Sequence, residues 1–199
     1  MPVHPPVDPC HGCAADPHIC ASPPTAADRQ QQEENTLVYF AGDNGGERWS
    51  YLWPLSGEKF VLQEGGIRIP TIVRWPHRVD GDQVSHEPNF SPDWTATFLE
   101  PAGARPDPAY PLDGTSLAGY LLKGEQPPER DLFWRVRANR ALRRGDWKYY
   151  QDEDGDDHLF DLGADLRERA DLAPDKPELL AELKAAWEKI ASGLLPYPS

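Results

Sequence analysis

Residues 35–46 read NTLVYFAGDNGG. From Thr36 to Ala41 the run is almost continuously apolar, then Gly42 hands over to Asp43, Asn44, Gly45 and Gly46. A short unbroken apolar run bounded by turn residues is the pattern of a strand covered on both faces, as in the parallel sheets of α/β proteins. At the carboxyl end of that strand stand two adjacent hard oxygen donors, Asp43 and Asn44, which suit Ca²⁺ or Mg²⁺. Gly45 and Gly46 leave the backbone room to pass close to an ion or to another segment. Taken alone, the same four residues are also ordinary turn chemistry.

Downstream, residues 43–66 have no regular period and read as a structured functional loop. Lys59 lies in it, where a point charge could meet an anion oxygen or simply point into solvent. The loop closes in Glu64-Gly65-Gly66, and IRIPTIVRWP (67–76) reads as a second strand, with Pro70 marking an edge, bulge or break. SPDWTATFLEPAG (91–103) predicts a short helix capped by Ser91 with Pro92 at its first position. TSLAGYLL (115–122) predicts another helical piece. RDLFWRVR, RALRRGDWKYYQ and DDHLFDL are aromatic-rich segments broken by Gly145 and by Asp154-Gly155, which predict a small antiparallel sheet. The acidic run 152–157 places its glycine wrongly for an EF-hand and reads as a hairpin turn. The last element is a helix from Asp175, capped there with Glu178 three residues on. Leu179, Leu180, Leu183, Trp187 and Ile190 fall on one face of it, and Gly193 stops it.

Upstream the texture differs. Residues 1–34 are crowded with proline, lack hydrophobic periodicity and are expected to be disordered or spurious sequence. Cys10, Cys13 and Cys20, interleaved with His11 and His18, could form a zinc site by spacing, although no second paired cluster supports it. The expected organisation is therefore 1–34 as a separate leader, 35–124 as an α/β part and 125–199 as a small α+β part.

The formal charge of −13 over 199 residues argues against nucleic acid or an anionic membrane as partner. No apolar run approaches the roughly 20 residues of a membrane span. The start lacks the basic and apolar regions of a secretory signal, so the sequence as written reads as cytoplasmic.

The segments NTLVYFAGDNGG, PLSGEKFVLQEGGIRIPTIVRWP, DWTATFLEPAG, DGTSLAGYLL, ALRRGDWKYY and LFDLGADLRERADLA, in this order, resemble the C-terminal part of the formylglycine-dependent (type I) sulfatases. The resemblance runs from about Asn35 to the C-terminus. It implies the C-terminal portion of an alkaline-phosphatase-like α/β domain followed by a small antiparallel sheet and a terminal helix. It implies a sulfuric ester hydrolase using Ca²⁺, with Asp43 and Asn44 as two of the calcium ligands and Lys59 as the lysine that binds the sulfate ester. It also implies a nucleophile made from the Cys or Ser of a C/S-x-P-x-R motif, which this sequence lacks. Ser22-Pro23-Pro24-Thr25-Ala26 has Ala26 in place of the arginine, and Cys20 has its proline one position late. The family's two N-terminal calcium-binding aspartates and its mid-chain histidine and lysine have no counterpart here either. The expected reading is a truncated or frame-shifted sulfatase whose chain alone is inactive. A noncatalytic calcium- or anion-binding module and a small zinc-binding interaction protein stand as alternatives.

Overall fold

The computed structural model describes residues 32–47 and 49–197. Residues 1–31 of the leader, which carry its cysteines, therefore lie outside the described residues, as does the zinc reading that rests on them. The chain divides into two compact units, Met1–Val38 with Arg74–Gly81, and Tyr39–Val73 with Asp82–Ser199. In the first, a 3-10 turn at Glu33–Asn35 carries Glu33, which pairs with Arg74, while the Glu34 carbonyl accepts the His77 amide at 3.0 Å.

Strands β1 (Val38–Ala41) and β2 (Thr71–Arg74), all but Val38 and Arg74 of them in the second unit, form a two-stranded sheet. Between them in sequence runs the long loop, ending in the single helical turn α1 (Glu64–Ile67). Helix α2 (Ser91–Leu99) packs Trp94 and Phe98 on the inward side of β1, with ring centroids 4.4 and 5.7 Å from Tyr39. The other side of β1 is uncovered: Phe40 is 64% exposed, as is Ile72 of β2 at 61%. The expectation of a strand covered on both faces is therefore corrected. Period-2 alternation sends Tyr39 to α2 and Phe40 outward, and among the described residues nothing is laid over that second face.

The cap of helix α2 lies one residue earlier than predicted. Phe90 has the extended backbone of an N-cap, and Asp93 accepts its amide at 3.1 Å, leaving Ser91 within the first turn. A second buried anchor sits here. Asp93, 0% exposed, accepts from the Thr115 amide at 2.9 Å and pairs with Arg130 at 2.5 Å, tying α2 to the approach of β3. Helix α3 (Ala118–Lys123) ends at Gly124 with φ 68°, the left-handed C-terminal residue that glycine adopts without cost.

The C-terminal sheet is a meander of β3 (Asp131–Val136), β4 (Asn139–Arg144), β5 (Trp147–Gln151) and β6 (Asp157–Asp161), each antiparallel to the next. Gly145, at φ 56°, makes the β4–β5 turn. The β5–β6 hairpin turns through Gly155 at φ 90°, and the Asp152 carboxylate accepts the amides of Asp154 and Asp156, so the acidic run serves as turn chemistry. Both faces of the sheet are covered. One buries Leu142, Tyr149 and Leu159 against Leu183 and Trp187 of α4 (Pro177–Ser192). The other buries Ala141, Tyr150 and Phe160 against Leu62 at the end of the long loop. Helix α4 takes the predicted apolar face, but Lys176 is its N-cap rather than Asp175, because Pro177 fixes the first helical position. No helix among the described residues is long and apolar enough to cross a membrane.

Candidate functional site

The chain leaves β1 through Gly42 into a bend at Asp43, Asn44 and Gly45. Asp43 is exposed and Asn44 and Lys59 are half-buried. Two backbone hydrogen bonds join the three predicted segments. Gly45 donates its amide to the Gly66 carbonyl at 2.8 Å, and Lys59 donates its amide to the Gly46 carbonyl at 2.8 Å. The glycines are required by this closeness. A Cβ on Gly45 would stand 1.9 Å from the Gly65 carbonyl oxygen, and one on Gly66 would stand 2.2 Å from that of Val61. The DNGG bend, Lys59 and the Glu64-Gly65-Gly66 turn are thus one closely packed unit of backbone. The Lys59 ammonium stands 5.3 Å from the centroid of the Phe60 ring, and the Arg137 guanidinium also lies over that ring, at 4.4 Å.

Asp43 and Asn44 supply two oxygen donors, whereas calcium takes six to eight. Among the described residues no three histidine, cysteine or acidic side chains gather into a metal cluster. The donor type fits a hard cation, and the donor count gives a partial shell rather than a closed site.

Directly beneath lies a charged cluster that the sequence reading did not identify. Lys148 of β5 is 0% exposed, with its Nζ 2.9 Å from Glu64 Oε1 and 2.8 Å from Glu168 Oε1. The contact to Glu168 is an ion pair off hydrogen-bond alignment, while the other Glu168 oxygen accepts the Glu64 amide at 2.6 Å. Arg68 reaches Glu64 Oε2 at 3.1 Å. Burial pushes the Glu64 carboxyl up, but Lys148 and Arg68 outweigh it and hold Glu64 below the ordinary glutamate range. Burial also pushes Glu168 up, and there the single shared ammonium does not compensate, so Glu168 sits above that range. Lys148 was hidden in the sequence because an alternating strand normally turns a lysine to solvent. Its shared face with Tyr150, two residues on, was the available signal.

A protein-family model described as Sulfatase matches residues 25–104. Arylsulfatase A of Homo sapiens is 34% identical over 163 residues, which cover 75% of this chain and 32% of that protein. The N-acetylgalactosamine-6-O-sulfatase of Bacteroides thetaiotaomicron is 27% identical over 195 residues, covering 82% of this chain and 38% of the relative. Among solved structures, Ps i-CgsB in complex with k-i-k-neocarrahexaose superposes with a TM-score of 0.76 at 29% identity, over 82% of this chain and 38% of that one. The chain thus spans about a third of the length of these relatives.

Proposed function

Because this chain belongs to the sulfatase family, we propose that residues 43–66 are one side of a sulfate-ester site, with Asp43 and Asn44 as cation ligands and Lys59 as the sulfate-binding cation. The observation that carries this reading is the pair of hydrogen bonds, Gly45 to Gly66 and Lys59 to Gly46, which hold both chemistries in one backbone unit. Sulfate esters are the substrates that the names of the relatives state, on sugar and aryl groups. When bound, Ca²⁺ would supply a positive field for sulfate oxygens. Lys59 would set a second positive charge against the oxygen that becomes negative as the ester bond breaks. Asp43 and Asn44 would orient the cation without taking part in proton transfer.

No C/S-x-P-x-R motif occurs in these 199 residues. The attacking group therefore has to come from outside this sequence, and covalent catalysis cannot start without it. The test is release of aryl alcohol from an aryl sulfate in the presence of calcium. The 199-residue chain should release none, and the same residues joined to an upstream half carrying the nucleophile motif should turn over. In the joined protein, Asp43→Ala or Lys59→Ala should each lose at least ~10²-fold in rate, as for one transition-state charge partner. Turnover by the short chain, abolished by Lys59→Ala, would overturn the proposal.

A further inference from the structure

We propose that Lys148 is a positioning residue: through Glu64 and Glu168 it fixes the geometry of the Asp43–Asn44 bend and of Lys59 from strand β5. Only the description of that bend as a ligand site rests on the functional reading above; the linkage itself is read from contacts.

The linkage runs in short steps. The Lys148 ammonium holds Glu64 Oε1 at 2.9 Å, and Glu64 opens the turn α1. Two residues on, the Gly66 carbonyl receives the Gly45 amide, which follows Asn44 directly. A second tie runs in parallel. The Gly65 amide donates to the Ser56 carbonyl at 2.6 Å, and the Ser56 hydroxyl donates to the Arg167 carbonyl at 2.5 Å. Arg167 precedes Glu168, so this second tie ends on the loop after β6, beside the carboxylate that Lys148 also holds. That loop is itself pinned by Asp165, whose carboxylate accepts the amides of Arg169 and Ala170 at 2.6 and 2.8 Å.

The cluster does more than fill space. Sheet register puts Lys148 opposite Arg143 and Phe160, on the face where Leu62 packs, so an apolar side chain of similar length would be the simple core solution. Instead the fold buries an ammonium and two carboxylates, whose lost hydration is offset by their mutual pairing, by Arg68 on Glu64 and by the Glu64 amide on Glu168. Glu168 adopts φ 54°, a left-handed conformation that L residues take only when the surroundings impose it. Bidirectional anchoring of the Glu64 turn, by its side chain to Lys148 and its amide to Glu168, is what this arrangement achieves. Apolar packing is non-directional and would leave the turn free to slide by fractions of an ångström.

The experiment is amide hydrogen exchange and ¹⁵N chemical shifts on the full chain, comparing wild type with Lys148→Met. The Gly45 and Lys59 amides should exchange about tenfold faster and shift, while the amides of β4 and of α4 keep their protection, as expected for a local opening. Unchanged Gly45 and Lys59 amides in a folded Lys148→Met variant would overturn the proposal. So would an equal loss of protection everywhere, which marks a residue that is merely structural. If Lys148→Met fails to fold, Glu64→Gln, which keeps the shape and removes the charge that Lys148 grips, is held to the same two outcomes. Because the readout needs no calcium, failure of the metal reading leaves these outcomes unaffected, and failure here leaves calcium binding to be judged separately.

Discussion

Gly45 and Gly66 are joined by a 2.8 Å backbone hydrogen bond that only glycine at position 45 can make, since a Cβ there would lie 1.9 Å from the Gly65 carbonyl oxygen. Gly45→Ala therefore has to push two backbones apart. Its cost should be at least about 2 kcal/mol, as for overpacking of a tight site. Denaturant unfolding monitored by tryptophan fluorescence checks this; a loss below about 0.5 kcal/mol, the range of ordinary surface substitutions, would show that the bend tolerates a side chain.

Asp93 and Arg130 give a second stability prediction. The Asp93 carboxylate is fully buried and serves two amides as well as the guanidinium. Asp93→Ala leaves Arg130 largely buried and unpaired, and should cost about 3–5 kcal/mol. Replacing both residues with apolar ones should recover part of that loss. A double-mutant cycle by thermal unfolding separates the pair from simple loss of packing.

His158 supplies a pH dependence. Its Nδ1 lies 2.9 Å from Asp171 and its Nε2 3.3 Å from Asp152. Burial alone would lower its pKa, yet the hydrogen bonds and charges of the two aspartates prevail and raise it above the ordinary 6.5. Stability from this group is thus complete below pH 6.5 and fades as pH rises through the raised value. The aspartates are held low by amide and His158 contacts against the pull of burial, so their share is present at neutral pH and fades in acid. His158→Gln should cost about 0.5 kcal/mol near pH 5.5 after allowance for solvent screening, and less at pH 8.5. Urea midpoints at the two pH values test the sign; a larger loss at pH 8.5 would contradict it.

The exposed side of β1 and β2 predicts association. Phe40 and Ile72 are both more than half exposed, on strands where alternation would usually bury one face and solvate the other. The chain should bind a hydrophobic dye and elute early in size-exclusion chromatography, and Phe40→Ser with Ile72→Ser should weaken both. Dye silence together with a monomeric elution would refute this.

Several parts of this fold were legible in the sequence for identifiable reasons. The apolar run into Asp43 and Asn44, and the antiparallel meander with turns at Gly145 and Gly155, depend on local periodicity and turn chemistry. The buried stripe of Leu183 and Trp187 follows from helical spacing in the same way. Helix starts were misplaced by a residue at Ser91 and Asp175 because the boundary is decided by backbone angles that Phe90 and Pro177 set. The uncovered face of β1 was missed because an apolar run reports the preference to be covered, not the presence of a cover. Lys148, Glu64 and Glu168 were illegible for a different reason. Their partners are 84 and 104 residues apart in sequence, and a lone lysine or glutamate carries no local mark of burial.

The central claim is that Asp43, Asn44 and Lys59 form one ligand-binding unit, and a calcium titration of the ¹⁵N-labelled chain tests it most directly. The account predicts shifts concentrated at the amides of Asp43, Asn44 and Gly45 and carried to Lys59. They should saturate with a Kd near ~10⁻³ M, as expected for two side-chain ligands, and vanish in Asp43→Ala. Shifts confined to the acidic hairpin at 152–157, or a titration unchanged by Asp43→Ala, would contradict it.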